Sequence, residues 1–192
     1  MGAAGASAAA SMASSTTPAG ASEASAAAPT TPAAAPATSG ADLAAGSTPK
    51  CTKTTLAVSL GAGDAGVGHR SIVVVFRNSG TSACRLHGYP GVAALDANGR
   101  QVVQAVRTPN GYLGGLASGT ALPTVTLARG QRASATIEGL GFNASDGSAC
   151  TGYQGFLVTA PDDTSSTHLA AATDMCGELQ VHPVVLGTTG QQ

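Results

Sequence analysis

Between Ser71 and Val92 the chain reads SIVVVFRNSGTSACRLHGYPGV, and this stretch restricts the fold more than any other. Ile72 to Phe76 are five consecutive β-branched or aromatic residues. The run is too short for an independent helix and is built from side chains that fit a pleated, buried surface, so it predicts a core strand. Asn78, Ser79 and Gly80 end that strand with residues that tolerate left-handed or self-bonded backbone. Cys84 follows in a loop, and Gly88-Tyr89-Pro90-Gly91 makes a second stop. Two turns so close together point to an all-β domain.

The first fifty residues have another composition, almost entirely Ala, Ser, Thr, Pro and Gly, with only Glu23, Asp42 and Lys50 charged. Pro18, Pro29, Pro32, Pro36 and Pro49 interrupt any helix, and beyond Met1 only Met12 and Leu43 offer large apolar side chains to offset ordering entropy. Residues 1–50 therefore read as a disordered linker, either a stalk that holds a domain off a surface or an inert tail. No basic segment followed by an apolar one marks a signal peptide, no Leu-rich segment ends in a lipid-anchor cysteine, and no apolar run is long enough to span a bilayer. An export signal is accordingly expected upstream of this start, or already removed.

The remainder is long enough for one core, and residues 51–188 are expected to form a single domain with a flexible tail over 189–192. Setting aside Lys50, Glu23 and Asp42, the nine basic and ten acidic residues of the chain become equal in number and are scattered. That balance argues against nucleic acid and against an anionic membrane face, since both need a basic patch.

All four cysteines, Cys51, Cys84, Cys150 and Cys176, lie in this part. Even number, wide spacing and the lack of a Cys-x-x-Cys or a nearby His pair suit two disulfides better than a metal site or buried thiols. Three pairings are possible; Cys51–Cys84 and Cys150–Cys176 are expected. Disulfides place the domain in an oxidising, extracytoplasmic compartment.

Thr54 to Leu60 alternates apolar and small polar side chains, as a half-buried first strand should, and a Gly-rich turn from Gly61 to Gly68 is expected after it. Gly91–Leu95 and Gln101–Val106 flank Asp96-Ala97-Asn98-Gly99-Arg100, where Asn-Gly signals a hairpin because both residues accept positive φ. Thr124–Leu127 and Arg132–Leu140 read as strands about a turn, with Val125, Leu127, Ala133, Ala135 and Ile137 facing inward. Phe156–Thr159 and Leu179–Val185 add two more, and Pro183 assigns the last to an edge or terminal position. Seven or eight strands separated by turns favour an antiparallel β-sandwich.

Several elements together resemble a known family, the actinobacterial exported domains catalogued as domain of unknown function 4232. They are Cys51 with Leu56-Ala57-Val58-Ser59-Leu60, Gly68 ahead of Val73 to Asn78, the block Cys84-Arg85-Leu86-His87-Gly88-Tyr89-Pro90-Gly91-Val92, Leu127-Ala128-Arg129-Gly130 before Ala133-Ser134-Ala135, and the late Cys150 and Cys176-Gly177. The resemblance covers most of Cys51 to Val185. It implies a secreted or lipid-anchored, immunoglobulin-like sandwich without an agreed activity. Arg129 departs from the pattern, standing where a Pro is common.

Candidates for chemistry are sparse. His69, His87, His168 and His182 are isolated in sequence, with no His-x-His and no carboxylate at ligand spacing, so each reads as a surface or loop histidine and no metal or cofactor is expected. No Gly-x-Ser-x-Gly elbow presents a nucleophile. Asp162-Asp163 reads as a solvated turn. Gly61-Ala62-Gly63-Asp64-Ala65-Gly66 lacks the Gly-Lys-Ser/Thr of a phosphate loop. Tyr89 is either part of a packed corner or an aromatic anchor for a ligand.

The strongest candidate is the long segment Arg107 to Pro123, RTPNGYLGGLASGTALP, with Tyr112, Leu113, Leu116 and Leu122 among glycines and prolines. Exposed, these groups make a contact patch; folded back, they close an open end of the sandwich. The sequence thus reads as an exported, stalked, monomeric β-sandwich that binds an unidentified protein or envelope component. The alternatives are an envelope hydrolase, which needs a buried His beside a Ser or carboxylate in a cleft, and a structural spacer.

Overall fold

The computed structural model describes residues 47–192; most of the linker expected over residues 1–50 lies outside them. The described residues contain strands and no helix. In chain order the strands are β1 (Leu56–Gly66), β2 (His69–Asn78), β3 (Cys84–His87), β4 (Gly91–Leu95), β5 (Gln101–Gln104), β6 (Val106–Arg107), β7 (Thr124–Leu127), β8 (Arg132–Leu140), β9 (Gly155–Thr159), β10 (Ser166–Ala170), β11 (Cys176–Val181) and β12 (Val185–Leu186).

The Ile72–Phe76 run lies in β2, which pairs antiparallel with β1 on one side and β8 on the other. This sheet runs β1-β2-β8-β11-β6, with β12 also on β8; a second runs β10-β9-β4-β5; β3 and β7 form a separate ribbon. One apolar core joins all three. Phe76, Val74, Ala133, Ala135 and Ile137 face it from the first sheet, Val92, Ala94, Phe156 and Val158 from the second, and Leu86, Val125 and Leu127 from the ribbon. The fold is an all-β sandwich, and every inward position expected on β7 and β8 is buried.

The differences from expectation have local causes. Twelve strands replace seven or eight because short ones escape the eye: the four residues from Cys84, expected in a loop, are β3 against β7. The Gly-rich turn is smaller than expected. β1 continues to Gly66 past an irregularity between Leu60 and Gly63, so only Val67 and Gly68 turn, with φ of 48° and 82°. Asp96 organises the β4–β5 hairpin through its carboxylate, which accepts the N–H groups of Asn98 and Arg100, and there Gly99 alone takes positive φ. Pro183 divides the expected last strand into β11 and β12, both on β8, while β6 covers the far side of β11 in parallel pairing. Beyond Pro183 the chain does end in a terminal strand, β12, which pairs with β8 alone.

Both ends of the described chain are tied down. Thr48 and Pro49 give their carbonyls to Arg85, so pairing begins before the expected domain start. The tail expected to be flexible over 189–192 is instead held at Gly190, which is buried and bonded to both Ser134 and Thr136.

Cys51 pairs with Cys84 across 33 residues and Cys150 with Cys176 across 26. Loops of this length contribute about 3–4 kcal/mol each by restricting the unfolded chain. Replacing Cys150 and Cys176 by Ser should therefore lower the unfolding free energy by about 3 kcal/mol in urea titrations. No loss would show that the unfolded chain is already constrained there.

Candidate functional site

Alternation along β8 sends Ala133, Ala135 and Ile137 to the core and Ser134, Thr136 and Glu138 to the opposite face. Such a polar row normally meets solvent, yet all three residues are buried. A buried polar group left without a partner costs about 1–3 kcal/mol, so partners must come from the chain itself. The long loop after β6 and the C-terminal tail supply them.

Ser134 Oγ accepts the N–H of Gly190 at 2.9 Å, and Thr136 Oγ1 donates to the carbonyl of the same residue at 3.0 Å. Glu138, 2% exposed, receives four donors. The backbone N–H of Tyr112 meets Oε1 at 3.1 Å and that of Leu113 meets Oε2 at 3.0 Å. His69 Nδ1 stands 2.6 Å from Oε1 and His182 Nε2 3.3 Å from Oε2. An ionised carboxylate only accepts, so both ring nitrogens facing it carry protons. Burial alone would raise the Glu138 carboxyl, but the Leu113 N–H, the His182 ring and the Tyr112 N–H together hold it below the ordinary value of 4.5.

His182 is fully buried, and its Nδ1 lies 3.1 Å from the Thr108 carbonyl and 3.2 Å from the Thr108 hydroxyl. That hydroxyl is also 3.2 Å from Gln180 Oε1. Thr108, His182 and Glu138 therefore form a chain with the outline of a nucleophile, base and orienting acid. Its bonds are spent otherwise: all four acceptor positions of Glu138 are filled, and His182 Nδ1 is shared with a carbonyl. The network clamps backbone. Among the described residues, no group of three or more His, Cys, Asp or Glu side chains is arranged to hold a metal ion.

The clamp depends on glycine. A Cβ on Gly111 would overlap Glu138 Oε2 and stand 2.7 Å from His182 Nε2; one on Gly114 would stand 2.5 Å from Thr136 Oγ1. Only bare backbone fits this closely over the polar row.

The residues expected at a contact patch separate here. Tyr112 is 70% exposed and stacks on His69 with ring centroids 4.3 Å apart. Leu113 is half-buried against Gly66. Leu116, expected beside them, is 3% exposed and unavailable for contact; its N–H donates to the Pro109 carbonyl at 2.8 Å, which holds it under the loop. Leu122 is exposed but lies outside this network, just before β7. Tyr89, partly buried between β3 and β4, lies outside it as well, beside a buried Gly88 of φ 88°.

Two groups not singled out from sequence join Tyr112 and Leu113. Val67, 85% exposed, forms the β1–β2 turn, and Phe142 covers Gly68 next to it. Together they make an apolar apex at one end of the sandwich. Glu138, His69 and His182 were likewise not anticipated. Glu138 sits where strand alternation predicts solvent, and the two histidines are far apart in sequence.

Residues 51–185 match the family described as Domain of unknown function (DUF4232). The chain belongs to that family. The match spans the long loop, Glu138 and both of its histidines, so the clamp lies within the DUF4232 domain. No curated protein and no solved structure matches.

In this DUF4232 domain Glu138 titrates lower when folded than when unfolded, so the folded state binds fewer protons between the two values. Its contribution is complete above the ordinary 4.5 and is lost as pH falls through the lower folded value. Glu138→Gln should cost about 3 kcal/mol near neutrality, and the gap from the parent should narrow in acid. Urea titrations across pH check this; a constant gap would mean that the carboxyl is protonated in the fold. Gly111→Ala should cost about 1–3 kcal/mol through the same overlap, read as a lowered melting temperature.

Proposed function

We propose that this domain is an exported, non-catalytic interaction module of the bacterial cell envelope, which engages a protein or envelope component through its apolar apex. Tyr112 is the anchor, with Val67, Leu113 and Phe142 around it. The observation that carries this reading is the way an exposed aromatic is held. Tyr112 presents its ring to solvent while its N–H is fixed by buried Glu138 and its ring rests on His69. An aromatic fixed before contact loses little freedom on binding, and such groups dominate interface energetics.

Val67 supports the same reading. A β-branched residue at φ 48° is strained by on the order of 1–3 kcal/mol, and strain of this kind collects at functional sites. Leu116 serves as a buried support for the loop. Two disulfides fit an oxidising compartment, in keeping with export.

Tyr112→Ser separates a binder from a spacer. Capture of cross-linked partners from the envelope fraction should fall about tenfold or more, the loss typical of a hot-spot residue. The melting temperature should change little, since only an exposed stack is lost. Unaltered capture with a lowered melting temperature would mean that Tyr112 serves packing alone.

A further inference from the structure

The two disulfides stand in different surroundings. Cys51 and Cys84 are 1% and 3% exposed and belong to the apolar core, together with Leu86, Val125 and Leu127. The chain around Cys51 is pinned from both sides: Arg85 gives its N–H to the Pro49 carbonyl and takes the Cys51 N–H, and Lys53 Nζ donates to the Ser166 carbonyl at 2.6 Å. A reductant reaches that bond only after this part of the domain opens.

Cys150 and Cys176 are only half-buried, and both line an open hollow of about 390 Å³ whose walls include Asn143, Ser148, Thr151 and Tyr153. Their chain neighbours Ala149, Thr151 and Gly177 are exposed. Exchange requires a thiolate to reach sulfur, so it is the exposed disulfides that are labile. Cys150 Sγ also lies 3.4 Å from the Leu140 carbonyl, an acceptor for the S–H that reduction would create.

What this bond holds is a hairpin. Residues 142–149 are all exposed, and their bonds are largely internal: Phe142 bridges Ala149, the Asn143 N–H donates to the Ser148 carbonyl at 2.8 Å, and the Gly147 N–H donates to the Asn143 carbonyl at 2.7 Å. At its base the Gly141 N–H meets the Gly68 carbonyl, and beyond Cys150 the Tyr153 hydroxyl donates to the Gly177 carbonyl. Between those points Cys150–Cys176 ties the hairpin to the start of β11. Phe142 of the apex rides on it.

We propose that Cys150–Cys176 is a thiol–disulfide exchange site, opened by a dithiol while Cys51–Cys84 stays closed, and that opening it frees the hairpin and withdraws Phe142 from the apex; the second half rests on the interaction-module reading above. One thiolate of the dithiol forms a bond to one cysteine sulfur and displaces the other. The second thiolate then displaces the first cysteine. The reductant leaves as a disulfide, oxidised by two electrons, and its two protons end on Cys150 and Cys176.

The full chain is incubated with graded dithiothreitol, quenched with an alkylating agent and read by peptide mass. Cys150 and Cys176 should be alkylated about tenfold faster or more than Cys51 and Cys84, while far-ultraviolet circular dichroism stays that of the folded chain. Amide exchange at Asn143 and Gly147 should then quicken about tenfold or more while β8 keeps its protection. Joint loss of both disulfides, earlier loss of Cys51–Cys84, or opening of Cys150–Cys176 only at the rate of global unfolding would overturn the exchange site. Unchanged amide exchange at Asn143 and Gly147 would overturn the release of the hairpin. Envelope capture by the singly reduced, alkylated chain should fall about fivefold, the loss expected for one interface contact, and the Cys150→Ser, Cys176→Ser chain should match it without added bulk. If Tyr112→Ser lowers capture and neither of these does, the apex stands and its link to the disulfide falls. If capture ignores all three, the apex reading falls, and the exchange site stands on its alkylation rates.

Discussion

A carboxylate buried on the wrong side of a strand governs this structure. Glu138 lies on the face of β8 away from the apolar core, where it could have met water. The long loop covers it instead, and the chain must then provide for a charge in a dry place. Four donors do so, two from backbone and two from imidazoles. A buried charge is tolerated only when paired and hydrogen-bonded. The requirement reaches outward from there: the loop has to run close enough to donate, which demands glycine at positions 111 and 114, and His69 has to end up beneath Tyr112.

This arrangement gives the sandwich two interiors of different kinds. Between the sheets lies ordinary apolar packing, which is tolerant of shape and insensitive to direction. Outside β8 lies a thin polar layer in which Ser134, Thr136 and Glu138 each specify one backbone segment. The apolar interior holds the sheets together. The polar layer decides which path a glycine-rich loop takes, and so fixes where Tyr112 and Leu113 emerge at the surface.

The apolar interior was legible in the sequence and the polar layer was not. Ile72 to Phe76 announce a buried strand by composition alone, and Val125, Leu127, Ala133, Ala135 and Ile137 announce theirs by period. The hairpin at Asp96–Arg100 was legible too, although Asp96, not Asn98, directs it. Glu138 obeys the same alternation, and the alternation predicts water. Nothing local distinguishes a polar row facing solvent from one facing a loop some twenty-five residues away in sequence. The hint was indirect: a long segment with closely spaced glycines has a reason to lie flat on something. β3 and β10 escaped notice because four or five residues carry too little periodicity to count, while β6 and β12 lie at the ends of the strands expected over Gln101–Val106 and Leu179–Val185.

The two disulfides also decide how the domain carries tension. The bond from Cys51 to Cys84 closes a ring that contains β1 and β2, and the bond from Cys150 to Cys176 closes one that contains β9 and β10. A pull on the chain ahead of Cys51 passes through sulfur directly to β3, and a pull from the C-terminal side crosses from Cys176 to Cys150 in the same way. The strand bearing the Ile72–Phe76 run is thus outside the line of force, and stretching cannot peel it from its end. Mechanical load falls on the chain between Cys84 and Cys150, which includes the long loop and Glu138, and on β11 and β12 beyond Cys176.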